Sequence, residues 1–204
     1  QLLDYLMDDP VTSVRMAVAE SLAGVPLEQV SPEQSAKLRK LFDEYAGILQ
    51  QHADMPGVQL QLGIFLANRG DTKAAEAAYR EALYLNRQLI PAHPNLADLL
   101  RGQGRDEEAR TVLLEALAVA PDNGNTLHAL GLLETRSGQR EAALKYLKQA
   151  ADMETEGTRH RFVYGIALHD LGQQAEAIVQ LESVLRSAPQ SEDILLALAN
   201  YSAE

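Results

Sequence analysis

Residues 124–157 read GNTLHALGLLETRSGQREAALKYLKQAADMETEG, and the reading of this stretch of 34 residues decides the fold. Gly138 divides it. The first half carries a large residue followed by a small one, Leu130-Gly131. The second half carries Ala143, then Leu147 four places on, then the small residue Ala150. The arrangement recurs with a fixed period. Gly70, Gly104, Gly138 and Gly172 stand 34 residues apart, and each is followed five places later by an alanine, Ala75, Ala109, Ala143 and Ala177. The large-small pairs are Leu62-Gly63, Leu96-Ala97, Leu130-Gly131 and Tyr164-Gly165. The large residues of the second halves are Tyr79, Leu113, Leu147 and Leu181, and the small ones after them are Ala82, Ala116, Ala150 and Val184.

Each place in the period has a physical reason. The end of a helix often turns into the left-handed region, which glycine enters without steric cost. Small residues let two antiparallel helices approach to roughly 8–10 Å, and large ones fill the gaps beside them. One hairpin cannot bury its apolar face alone, whereas stacked copies can. The pattern resembles the tetratricopeptide repeat (TPR). The resemblance implies an all-α fold, a right-handed α-solenoid of helix-turn-helix repeats at 56–89, 90–123, 124–157 and 158–191. Pro121 and Pro189 close two repeats; Arg87 and Thr155 stand where proline is expected. Residues 192–204 read as the first helix of a truncated fifth repeat, carrying Ile194, Leu195, Leu198, Ala199 and Tyr201. Pro94 falls early in the first helix of the second repeat, so that helix is expected to start late, near Ala92 or His93.

Upstream, residues 1–30 read as a helical hairpin broken at Asp8-Asp9-Pro10. The string from Leu2 through Arg15 resembles a HEAT repeat, which implies that Asp8 or Asp9 and Arg15 tie one helix pair to the next. A linking helix is expected within 31–55, from about Pro32 to Ala53, with Ser31 as N-cap and Gln34 completing a capping box. Its apolar face is Leu38, Leu41, Phe42, Tyr45, Ile48 and Leu49. The order of HEAT-like piece, linking helix and alanine-rich repeats is also similar to the C-terminal part of some bacterial multihaem c-type cytochrome proteins. The haem-attachment motif of that family is absent, because the chain has no cysteine. Any haem of such a parent protein would lie upstream of Gln1, and the chain reads as a piece of something longer. That parentage implies the periplasm; without it the expected compartment is the cytoplasm.

Composition narrows the function. The formal charge is −11, from 18 basic and 29 acidic residues, which sets the chain against phosphate backbones. No phosphate-binding loop, His-Glu-x-x-His or Gly-x-Ser-x-Gly string occurs, and Gly102-Gln-Gly104 lacks a third glycine. Carboxylates fall on helix faces at the spacing of solvent pairs, such as Glu107 with Arg110. The sequence therefore points to a non-catalytic protein-interaction scaffold with no cofactor and no metal. His128 and His169 are expected to line the open face as ordinary side chains, with His160 at the surface.

In TPR proteins the first helices line a concave surface that receives an extended or helical segment. Carried onto this chain, the resemblance places there Leu60, Ile64, Asp98, Arg101, His128, Leu132, Arg136, Arg159, Phe162, Ile166 and His169, with Leu196 and Asn200 extending the line. The large apolar members are not required inside a hairpin, and a run of them on a surface marks a contact site. Leu60 and Ile64 occupy places where chaperone-binding relatives need lysine and asparagine to clamp a carboxylate, so that subclass is not expected. The partner is expected to be a separate peptide or protein, the missing part of the parent chain, another copy of this chain in a homo-oligomer, or a small apolar ligand. A brace domain within a larger redox protein is the alternative role.

Overall fold

The computed structural model describes residues 2–153 and 158–202, and among these every regular element is helical. The helices are α1 (Leu2–Met7), α2 (Thr12–Leu22), α3 (Pro32–Gln50), α4 (Pro56–Asn68), α5 (Thr72–Leu85), α6 (Ala92–Gly102), α7 (Asp106–Val119), α8 (Gly124–Arg136), α9 (Arg140–Met153), α10 (Arg159–Asp170), α11 (Gln174–Ser187) and α12 (Glu192–Tyr201). A single 3₁₀ turn, Leu27–Gln29, lies between α2 and α3. The chain forms two compact units, Gln1–Leu99 and Leu100–Glu204, whose boundary falls within α6.

Four identical turns follow α4, α6, α8 and α10. Gly70, Gly104, Gly138 and Gly172 have φ of +81°, +75°, +74° and +81°, and no other residue described has positive φ. After each glycine, the next amide reaches back to the carbonyl five residues earlier: Asp71 to Leu66 at 3.0 Å, Arg105 to Leu100 at 3.0 Å, Gln139 to Glu134 at 2.9 Å and Gln173 to Leu168 at 2.8 Å. Each glycine amide also donates to the carbonyl three residues back. Together these bonds form a Schellman motif, which satisfies carbonyls that a helix end otherwise orphans.

The large-small pairing is equally direct. A Cβ built on Gly131 would stand 2.5 Å from Leu147 Cγ and 3.1 Å from the Leu147 backbone nitrogen. Gly63 meets Tyr79 and Gly165 meets Leu181 in the same way, at 2.5 and 2.8 Å. Tyr79, Leu147 and Leu181 are accordingly buried, as are the alanines Ala75, Ala143 and Ala177 of the same turns. In the second repeat α6 starts at Ala92, the third residue of its period, whereas α4 and α8 start at the first. The late start expected from Pro94 is found. Thr155 lies outside the described residues.

In the first unit, α3 is the shared wall. Its Ser31 cap and Gln34 form the capping box as expected, and the helix stops three residues short of the expected end, at Gln50. Leu38, Leu41, Phe42, Tyr45 and Leu49 of α3 bury against Met7, Leu27, Leu62 and Phe65. Phe65 meets Phe42 and Tyr45 edge-on, at 5.7 and 4.9 Å between centroids. Arg69, next to Gly70, lies over the Phe42 ring at 4.4 Å and donates from Nη1 to the carbonyls of Ala23 and Val25. Asp8 pairs with Lys37 at 2.8 Å and Arg15 with Glu44, so both residues singled out in the N-terminal string reach α3.

Three outcomes are expected. Gly131→Ala forces a methyl into Leu147 and should lower unfolding stability by about 1–3 kcal/mol in urea titration. Gly102→Ala, which meets nothing within 4 Å, should be neutral or slightly stabilising. Arg15 holds the Glu44 carboxyl below its ordinary value, chiefly through the hydrogen bond between them. A depressed carboxyl stabilises the fold above its unfolded pKa, and that contribution fades as pH falls through the folded value. Amide exchange in α2 should therefore quicken below about pH 4.5 in the wild type, near the unperturbed carboxylate range, and not in Glu44→Gln.

Candidate partner-binding face

The residues expected on the open face lie on the first helices of the repeats, with α4 in the first unit and α8 and α10 in the second. On α4, Leu62, Gly63 and Phe65 are buried, which leaves Leu60 half-buried and Ile64 exposed on the other side. Asp98 on α6 is exposed. It also acts on Tyr79, whose phenol is pushed up to about 12, first by burial and then by the Asp98 charge.

In the second unit, α8 buries Leu127, Leu130, Gly131 and Leu133, and leaves Leu132 43 % exposed with Thr135 and Arg136 beyond it. Arg136 is half exposed and donates from Nε to Asp106 Oδ2 at 3.1 Å. Arg159, at the start of α10, is exposed, and Arg101, in the last turn of α6, is half-buried. Leu196 of α12 is also exposed.

Four expected members of the face are otherwise engaged. His128 is buried, 5 % exposed, with its ring 4.9 Å from that of His160. Its partner is thus His160, itself half-buried and close to Gly124, and not an open groove. Phe162 and Ile166 are half-buried because they pack against Leu181, Val184, Ile194 and Ala197. They serve the contact between α10 and the helices that follow it. His169 stacks flat on Tyr201, at 3.4 Å and 2° between planes, so α10 and α12 meet there too. Among the described residues no three histidines, aspartates or glutamates gather as a metal site, and no helix is long and apolar enough to cross a membrane.

Comparison with known proteins gives this geometry its family. Sequence models of the tetratricopeptide repeat match residues 58–94, 88–156 and 128–192. The chain belongs to the tetratricopeptide-repeat family. It is similar to human tetratricopeptide repeat protein 7A, at 28 % identity over 165 residues, which is 78 % of this chain and 18 % of that protein. The chain thus spans less than a fifth of that relative. Solved TPR structures share the fold. TTC0263 of Thermus thermophilus matches with a TM-score of 0.69 and 19 % identity, covering 95 % of this chain and all of that one. YrrB, described as a TPR protein with an unusual peptide-binding site, matches at 0.60 and 22 %, covering 77 % and 81 %. MamA of Desulfovibrio magneticus RS-1 matches at 0.60 and 21 %, covering 87 % and 97 %.

One feature of this TPR chain is poorly served by pairwise charge spacing. Arg110 does donate to Glu107 at 2.5 Å, as the spacing suggests, but its main partner is Glu134 on the next repeat. Nε and Nη2 of Arg110 hold the two Glu134 oxygens at 2.7 and 3.0 Å, and Nη2 also reaches Ser137 Oγ at 3.3 Å. Glu134 is 5 % exposed, and the pairing raises the Arg110 pKa further above its usual value. The signal lies in the period. Leu66, Leu100 and Leu168 occupy this place in the other repeats, and Glu134 alone departs from leucine.

Removing one partner of such a pair strands the other in a buried place. Arg110→Ala should lower unfolding stability by about 3 kcal/mol, read by urea titration. The double variant Arg110→Met with Glu134→Leu, which restores the usual leucine, should recover most of that loss.

Proposed function

We propose that this TPR chain is a non-catalytic interaction scaffold, and that the first-helix faces of its repeats receive a peptide or protein segment by burying its apolar side chains. The observation that carries the reading is the exposure of Leu132, 43 %, on a helix whose Leu127, Leu130 and Leu133 are all buried. Ile64 stands in the same place of the first repeat and is 37 % exposed on α4. Neither serves the hairpin, and covering a leucine of this kind contributes about 1.5–3 kcal/mol when complete. Family membership supports the scaffold role, and the peptide-binding site named for YrrB is a precedent in a protein of the same fold.

Arg101, Arg136, Arg159 and Asp98 would set polar register at the edges of these faces. Phe162 and Ile166 would act behind the surface, since they already carry contacts to Ile194 and Ala197. His128 and His169 would hold the helices in place.

The test uses the two exposed side chains, because a charge at half-buried Ile166 would disturb packing as well as binding. Leu132→Glu and Ile64→Glu should leave the thermal midpoint within a few degrees of wild type, as surface substitutions do. Each should lower recovery of cross-linked partners from the source cell extract by ten-fold or more. Unchanged recovery from a folded double variant would contradict the reading.

A further inference from the structure

Asn123-Gly124 is the one Asn-Gly step of the chain; the other asparagines, Asn68, Asn86, Asn95, Asn125 and Asn200, precede residues that carry side chains. Such a step is chemically unstable in a loose chain, because glycine has no Cβ to keep its amide nitrogen away from the preceding carboxamide. The Gly124 nitrogen bonds to Asn123 Cγ and gives up its proton, the bond from Cγ to the side-chain nitrogen breaks, and ammonia leaves. Water then opens the succinimide at one carbonyl to give aspartate, or at the other to give isoaspartate.

The fold places this step at the head of α8 and holds it out of reach of that reaction. Asn123 is the N-cap, with ψ of 102°, and Gly124 is the first helical residue. Asn123 Oδ1 accepts from the Thr126 amide and the Thr126 hydroxyl, both at 2.9 Å, and Thr126 is fully buried. The Asn123 carbonyl accepts the first helical bond, from the Leu127 amide at 3.0 Å. Ring closure requires the Gly124 nitrogen to eclipse Asn123 Cβ, which lies at negative ψ, and requires the carboxamide to leave Thr126. Gly124 is walled as well. A Cβ built there would stand 3.5 Å from Met153 Cβ and 3.5 Å from His160 Cε1, so α9 and α10 of the same unit close over this turn.

We infer that Asn123-Gly124 is a deamidation site shielded by the closed cap of α8, and that its two products act on the third repeat in opposite ways. The reaction passes through an open state of the first turn of α8, so its rate follows the population of that state. Aspartate keeps the capping oxygen and brings a negative charge to the helix N-terminus, where charge of that sign is stabilising. Isoaspartate routes the main chain through Cβ and Cγ, which adds one atom to the backbone. The bonds to Thr126 and from Leu127 depend on the normal backbone and are lost with it. The helix loosened in this way is the one that carries Leu132, and the site is the same whether or not that side chain meets a partner.

The test ages the full chain in warm, mildly alkaline buffer, folded and in unfolding urea. The tryptic segment 111–136 is then followed by mass spectrometry against synthetic standards bearing aspartate or isoaspartate at 123, with Asn125 of the same segment as internal control. The folded chain should convert at least about ten-fold more slowly than the unfolded one. Thr126→Val keeps the amide donor and removes the hydroxyl, so it should speed conversion of the folded chain about two- to ten-fold and leave the rate in urea unchanged. Asn123→Asp should melt at or above wild type, whereas the aged fraction containing isoaspartate should melt about 2–4 °C below Asn123→Asp. Equal rates in the folded and unfolded chain overturn the shielding, and an unreactive Asn123 in urea overturns the site itself. An isoaspartate fraction that melts with Asn123→Asp overturns the opposed effects of the two products.

Discussion

Leu147 occupies the space that a side chain at position 131 would need, and Tyr79 and Leu181 do the same at Gly63 and Gly165. This close approach of two helices is the constraint on which the rest depends. It fixes how each hairpin is rotated, and hence which residues of the first helix turn inward. The Schellman turns at Gly70, Gly104, Gly138 and Gly172 serve the same end, because they set where the first helix stops and the second begins. With both fixed, Leu127, Leu130 and Leu133 must be buried, and Leu132 is left outside.

The repeated turns and the small-large contacts were fully legible, since both are local and recur at one period. The late start of α6 was legible too, because a proline restricts its own helix turn. The candidate face was legible only in part. The period placed Phe162 and Ile166 on the open side of α10, but it could not say how closely α12 would lie, and Ile194 and Ala197 cover them. His128 was misplaced for a related reason. Its cover is His160, in the next repeat's first turn, and a side chain one repeat away is invisible to a reading of single helices.

Glu134 shows how much a departure from the period can mean. Leucine stands at that place in the other three repeats, and the exchange for glutamate is matched by Arg110 on the preceding repeat's second helix. A buried ion pair adds little net stability beside an apolar contact, but it penalises any arrangement in which its partners separate. In this chain it ties α7 to α8. It also withdraws the only carboxylate of α8 from the surface, so the open side of that helix is apolar and basic. One substitution thereby links the packing between repeats to the character of the face.

Exposure alone does not single out the first helices. Tyr84, Leu114 and Val179 are exposed on second helices, at 81, 44 and 66 %. The central claim is that partners meet the first-helix side. It is tested most directly by site-specific photo-cross-linking in the source cells, with benzoylphenylalanine placed in turn at Leu132, Leu114 and Val179. Cross-links that form from position 132 and not from 114 or 179 are the predicted result. Cross-links from 114 or 179 in the absence of any from 132 would contradict the account.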